Sequence, residues 1–456
     1  MISSARMLAF RWFVVEAMGS RTSARYAKLQ LNTAFPEGRV YNTNACAACF
    51  ARVCTSSELT QRGISLLKRI SIWSALYLPH TGGVENFTAH VSSVLAKRGF
   101  QVQVVTSRID DSPEYETTGE GVDVWRLPCR PLMNGRLPIP SRNARYRELM
   151  AKVKAFAPET VLVNARFYEH SLEALRFARK MNAKAAVLDH GSAHLVLGNP
   201  AADAVLAAYE HAITARAKSF KPDFYGISQK SSEWLAHFGI SAKGIIQNAI
   251  DAQAFRDGAS SRDFRSELGF APDDVVVAFC GRLVPEKGAD TLVRAGVILA
   301  QEGATGGCVR LVFAGDGPMR TQLESEIAAK LPSSGPVTAH LLGNTSPMDL
   351  AALFQQSNLF CLPTRSEGFC TSLLEASACA LPSIIPDVGG ARELIPSAEY
   401  GFIMPGRAAE VTARALREAI SLGADQLGAM GLRARDRVEA VASWNDTADA
   451  VLAAFA

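Results

Sequence analysis

The sequence predicts an α/β protein built on two open, mostly parallel sheets with helices packed on their faces. Three observations carry that reading. From residue 70 onward, apolar runs of strand length alternate with helix-period patterns, the rhythm of βα units around parallel sheets. The spacing of those strands breaks near residue 248, which fits two open sheets better than one closed barrel. At 456 residues, 48% hydrophobic and 20% charged, the chain is long enough for each half to bury its own core.

In the first half, strands are expected near 71–78, 101–106, 122–127, 160–163, 184–189, 223–227 and 243–247. In the second half they fall near 275–280, 309–314, 337–342, 358–362 and 382–385, with a short one near 400–404. Helical patterns fill the gaps, most plainly at 84–98, 229–238, 288–301, 318–330, 347–356 and 371–379. Asn248-Ala249-Ile250-Asp251 would connect the halves, and an amphipathic helix after Ser443-Trp444-Asn445 would pack back on the first. The division expected is therefore an extension over 1–69, domains over 70–248 and 249–430, and a returning helix over 431–456.

Charge is unevenly placed. Residues 1–70 carry ten Lys or Arg against three Asp or Glu, and the rest of the chain sums to −3. This segment lacks a sustained hydrophobic period, and Arg11 and Glu16 interrupt the apolar run from Leu8 to Met18 that a signal peptide would need. It reads as a poorly ordered basic extension, with a targeting or membrane-touching arm as the rival reading. Deleting residues 1–68 is expected to leave the activity unchanged, and insolubility or lost activity of the truncated protein would show a structural arm. No run of 18 or more apolar residues lacks charge, so no membrane-spanning helix is expected. Nine scattered cysteines argue for free thiols in a reducing cytoplasm, and Cys46, Cys49 and Cys54 lack a partner set at zinc-finger spacing.

Open parallel sheets bind ligands beyond the carboxyl ends of their strands, so the loops there hold the chemistry. In Pro79-His80-Thr81-Gly82-Gly83, two glycines admit close backbone approach ahead of a helix N-terminus. A tight turn would also explain them, and a third glycine at dinucleotide-fingerprint spacing is missing. In Gly281-Arg282-Leu283-Val284-Pro285-Glu286-Lys287-Gly288, two cations project from one short loop after a strand, where each can grip a separate phosphate oxygen. In Glu367-Gly368-Phe369-Cys370-Thr371-Ser372-Leu373-Leu374-Glu375, two carboxylates flank the start of a helix. The amides of Phe369, Cys370 and Thr371 suit a phosphate, while carboxylates beside them suit ribose or sugar hydroxyls.

In order, Gly82-Gly83-Val84-Glu85, Asp189-His190-Gly191, Asn248-Ala249-Ile250-Asp251, Gly281-Arg282 with Glu286-Lys287-Gly288, and Glu367-Gly368-Phe369 with Glu375-Ala376 form a set. Ala314-Gly315-Asp316-Gly317-Pro318, Leu342-Gly343 and Asp387-Val388-Gly389-Gly390 extend it. Residues 70–456 thereby resemble the family-4 retaining glycosyltransferases (glycosyl transferase group 1) of the GT-B fold. The resemblance implies two Rossmann-like domains facing each other across a cleft. The first would serve the acceptor and the second would bind a nucleotide-diphosphate sugar, UDP or GDP unresolved, with no cofactor and no metal. Arg282 and Lys287 would hold the diphosphate, Glu367 would reach the transferred sugar, Glu375 would bind ribose and His190 would lie beside the reacting sugar. Gly82, Gly83, Gly368, Phe369, Cys370 and Thr371 would line the donor site, with base contacts around Leu342 and Gly343.

The sequence departs from the family pattern at Ala249 and Cys370, where glycine, or glycine or proline, is usual. The implied reaction is transfer to a hydroxyl on a glycan or lipid-linked glycan, as in polysaccharide biosynthesis, with no nucleic-acid partner. Two other classes fit the same fold, a non-transferase sugar-nucleotide enzyme such as an epimerase and an inactive scaffold. A basic segment over 141–156, with Tyr146, Leu149, Met150, Val153 and Phe156 in a helical stripe, reads as a core-facing helix or as a peripheral contact with the inner membrane face.

Overall fold

A computed structural model describes residues 69–133, 135–194, 199–303 and 307–456. The basic extension and Cys46, Cys49 and Cys54 lie outside the described residues.

The first sheet starts from β1 (Arg69–Ser74) and runs in the order β3-β4-β2-β1-β6-β7-β8-β9. Its other strands are β2 (Gln101–Arg108), β3 (Tyr115–Thr117), β4 (Asp123–Leu132), β6 (Thr160–Asn164), β7 (Lys184–Asp189), β8 (Asp223–Gly226) and β9 (Gly244–Ile245), while β5 (Leu137–Pro140) pairs with β4. Central strands such as β6, Thr-Val-Leu-Val-Asn, are buried at every position. That is why they read as continuous apolar runs instead of alternating ones. The edge pairs β3–β4 and β4–β5 are antiparallel, and sequence patterning passes over them because β3 has three residues and β5 carries two prolines.

The second sheet is wholly parallel, in the order β12-β11-β10-β13-β14-β15. Its strands are β10 (Val275–Cys280), β11 (Val309–Ala314), β12 (Val337–Gly343), β13 (Leu359–Cys361), β14 (Ser383–Pro386) and β15 (Gly401–Met404). Counted within the sheet, this is the doubly wound order 3-2-1-4-5-6, which reverses direction between β10 and β13. The loops after those two strands therefore splay apart and leave a crevice at their carboxyl ends.

The chain crosses from the first sheet to the second at 246–251 and returns at 441–447. The two crossings touch: the Ile250 amide donates to the Ala442 carbonyl at 3.0 Å, and the Thr447 hydroxyl donates to the Gln247 carbonyl at 2.8 Å. The helix Trp444–Ala453 then lies on the helix Gly83–Lys97. Arg98 pairs with Asp449 at 2.5 Å and Trp444 stacks on His90 at 4.6 Å. In the helix Ala144–Ala155, Tyr146, Leu149, Met150 and Val153 all point into the core, and Arg142 and Arg145 pair with Glu173 and Glu114. The apolar stripe that a membrane contact would use is thus taken by the core. No helix among the described residues is long and apolar enough to cross a membrane.

Candidate active site

The two loops of the second sheet's reversal point are locked together by backbone. Gly288 has a left-handed φ of 75°, and a Cβ there would overlap the carbonyl oxygen of Pro363, so only glycine lets the loops approach. The Arg365 amide and the Thr364 hydroxyl both donate to the Glu286 carbonyl, at 2.7 and 3.0 Å. This apposition brings Lys287 Nζ to 2.7 Å from Glu367 Oε1. Burial works to lower the Lys287 pKa, but the facing Glu367 carboxylate outweighs it and the net direction is upward. Lys287 is therefore a committed cation. Arg282 stands exposed on the rim of the same loop and forms no salt bridge among the described residues.

The helix Thr371–Ala378 begins directly beyond Glu367, and no side chain caps its N-terminus. Its first amides and the positive end of its dipole face the cleft. Burial pushes the Cys370 thiol up to about 12, so it remains neutral, with Sγ 3.3 Å from Ser372 Oγ. Glu375 sits one turn along, and burial pushes its carboxyl up to about 7. A carboxylate that accepts two ribose hydroxyl protons must be ionised. A raised pKa means the accepting form is lost as pH falls through about 7. If Glu375 holds ribose as the resemblance implies, affinity for a nucleotide sugar, whose diphosphate diester does not titrate there, is expected to fall about tenfold per pH unit below that point. Calorimetry across pH 5 to 8 checks this, and Glu375→Gln should flatten the dependence.

Across the cleft, Gly82 and Gly83 open the helix Gly83–Lys97. A Cβ on Gly82 would overlap the Glu85 carboxylate, and one on Gly83 would lie 3.7 Å from Thr371 Oγ1, so this turn faces the second domain's helix N-terminus. His190 follows β7 and is held by a directed chain of hydrogen bonds. The Thr88 hydroxyl donates to the Val84 carbonyl at 2.7 Å, so its oxygen accepts from Asn164 Nδ2 at 2.8 Å. The Asn164 oxygen must then face His190 Nε2, 3.0 Å away, and Nε2 carries the ring proton. Burial pushes the imidazole down to about 3, so His190 is neutral with Nδ1 as its free acceptor.

Two serines of the first domain hold the Glu367 loop from the other side. Ser192 Oγ donates to the Glu367 carbonyl at 2.5 Å and Ser228 Oγ to the Gly368 carbonyl at 2.7 Å. A Cβ on Gly368 would overlap the His190 carbonyl oxygen, so glycine is required for this approach. Gly389, at φ 49°, abuts Glu367, and the Phe369 ring covers Gly390. Gly368→Ala is expected to keep both domains folded yet block their approach, lowering turnover on the order of a hundredfold. Turnover, with the radius of gyration in solution, checks it.

Gly343 ends β12, one strand beyond β11. The Gly315 amide donates to its carbonyl at 2.8 Å, and a Cβ on Gly315 would overlap the Gly281 carbonyl oxygen. Gly281, Gly315 and Gly343 thus form a bare backbone floor beside the Arg282 loop. Of the residues singled out in the sequence, Lys287 and Glu367 meet directly, Gly83 approaches Thr371, and Gly368 abuts His190. Gly343 meets Gly315 through that backbone bond. Sequence reading missed Thr88, Asn164, Ser192 and Ser228. Asn164 had a signal, a polar residue closing an otherwise apolar strand, whereas the serines had none.

Two doubly wound domains whose strand ends face a shared, anion-ready cleft define the GT-B architecture. Comparisons with known proteins agree. A model described as Glycosyltransferase Family 4 matches residues 81–254, and one described as Glycosyl transferases group 1 matches residues 260–437. The chain belongs to the family-4 glycosyltransferases of the GT-B fold. Among curated relatives, the D-inositol 3-phosphate glycosyltransferase of Rhodococcus opacus is 32% identical over 232 residues, 50% of this chain and 51% of that protein. Its Mycobacterium bovis namesake is 33% identical over 216 residues, 46% of this chain and 43% of that protein. The chain thus spans about half the length of the curated relatives it matches. Sucrose-phosphate synthase from Thermosynechococcus elongatus superposes with a TM-score of 0.65 at 21% identity, covering 84% of this chain and 97% of that one. Anabaena HepE in complex with UDP-glucose gives a TM-score of 0.62 at 18% identity, covering 84% and 98%. At these identities the likeness establishes the shared fold.

Proposed function

We propose that the protein is a retaining glycosyltransferase that moves a hexose from a nucleoside-diphosphate sugar to a hydroxyl of a glycan or lipid-linked glycan, without a metal, at the cytoplasmic side. The observation that carries this is the meeting of Lys287, Glu367 and the Thr371 helix N-terminus at the second sheet's reversal point, opposite a neutral His190. As the sugar–phosphate bond breaks, negative charge grows on the diphosphate and positive charge on the anomeric carbon. Arg282, Lys287 and the helix amides would stabilise the first from fixed positions. His190, neutral throughout the working pH range, would offer Nδ1 to a sugar hydroxyl without placing a cation beside the positive centre. Glu367 would steady the same sugar through its hydroxyls. Retention would follow from attack on the leaving-group face, with the diphosphate taking the acceptor proton, unlike the paired carboxylates of glycosidases.

The curated relatives are named for a phosphorylated cyclitol acceptor, so inositol phosphates belong in the acceptor panel beside glycans. The test is nucleoside-diphosphate release from a panel of UDP- and GDP-sugars with each acceptor. Transfer predicts acceptor-stimulated release with one donor. An epimerase would convert the sugar with the nucleotide still attached, and an inactive scaffold would do neither.

A further inference from the structure

Beside the residues described so far, three imidazoles from separate elements converge. His194 lies in the segment after β7, His211 lies on the helix Pro200–Lys218, and His237 lies in the 3-10 turn Ala236–Phe238. One ring nitrogen from each falls within 4.8 Å of the others. We propose that His194, His211 and His237 form a binding site for a late first-row divalent cation, Zn2+ foremost.

The geometry has three supports. His194 Nε2 and His237 Nε2 are 3.2 Å apart. Two nitrogens on one tetrahedral zinc, each at 2.0–2.1 Å, are separated by about 3.3 Å. Second, His194 Nδ1 lies 2.8 Å from Glu210 Oε2 and donates to it, which leaves the Nε2 lone pair aimed into the cluster. A carboxylate behind a ligating imidazole is the arrangement that fixes its tautomer and raises its basicity. Third, Glu210 is itself held, buried, 3.7 Å from Arg166, and the Trp234 ring stacks on His237 at 4.7 Å and 6°. Two of the three imidazoles are thus oriented, and exposed His211 can swing in to complete the set.

Three neutral nitrogen donors without thiolate or direct carboxylate suit zinc, cobalt, nickel or copper and not magnesium or calcium. Because His211 and His237 are exposed, the fourth position opens to solvent. The ion would tie the 190–194 loop, which carries His190 and Ser192, to the helix and turn beside it. The site uses none of the residues assigned to the reaction and does not depend on the activity proposed above.

The full chain, stripped by chelator, would be titrated with Co2+ followed by visible absorption and with Zn2+ by calorimetry. One equivalent with d–d bands and no thiolate charge-transfer band is expected, the last point separating this site from Cys46, Cys49 and Cys54. His211→Ala and His237→Ala remove exposed side chains and should leave the metal-free fold intact by circular dichroism. Each should weaken Zn2+ binding a hundredfold or more, and Glu210→Gln about ten- to a hundredfold. Zn2+ should raise the thermal midpoint of the wild type and not that of the double variant. Absence of the nitrogen-only cobalt spectrum, or equal Zn2+ affinity in the wild type and the His211→Ala/His237→Ala protein, would overturn the proposal.

Discussion

Lys287→Ala should lower turnover on the order of a hundredfold or more while the protein stays folded. Lys287 is the half-buried cation of the reversal-point loop and the direct partner of Glu367. Losing one transition-state charge contact costs roughly 3 kcal/mol. The loss goes further here, because removing the ammonium leaves the Glu367 carboxylate facing an anionic diphosphate. Neutralising that carboxylate should return part of the rate, so Lys287→Ala/Glu367→Gln is expected to be less impaired than the two single effects combined. Steady-state nucleotide release, with circular dichroism as the folding control, measures all three. Near-normal turnover in a folded Lys287→Ala protein would remove the phosphate role from this loop.

The second large effect separates the two carboxylates. Glu375 makes no salt bridge among the described residues and lies along the helix, where a ribose would meet it. Ribose contacts change little as the glycosidic bond breaks, and an interaction equal in ground and transition states raises KM when lost. Glu375→Gln is therefore expected to raise donor KM about tenfold or more with kcat nearly unchanged. Glu367 stands between Lys287 and the cleft, at the end that would meet the transferred sugar. That sugar changes charge and shape in the transition state, so Glu367→Gln should lower kcat instead. Kinetics with saturating acceptor compare the two, and matching KM effects with no loss of kcat would make the carboxylates a shared binding clamp.

The sheets were legible because strands buried on both faces read as continuous apolar runs, as residues 161–163 of β6 and the whole of β10 do. Motif loops were legible because each combines a strand end, a glycine and a charge within a few residues. Pairings across distant segments were not. Nothing in the order of residues says that Lys287 meets Glu367 eighty positions on, or that Ser192 and Ser228 reach carbonyls of another domain. The same holds for His194, His211 and His237, whose spacing matches no metal motif on one element and which converge only through the fold. Hydroxyl-to-carbonyl bonds leave the least trace, since serine is common in any loop.

The paired chain crossings have a mechanical meaning. A single linker would let the domains tumble about a point, whereas two strands hydrogen-bonded side by side behave as a door mounted along one edge. Ile250 to Ala442 and Gln247 to Thr447 are the pins. Such a mounting favours a swing about one axis over free tumbling. A hinge of this kind would bring the Glu367 loop to Ser192, Ser228 and His190 in the register seen here. Alignment of the donor with the opposite wall is then set by where the door is hung, and substrate contacts need only choose how far it shuts.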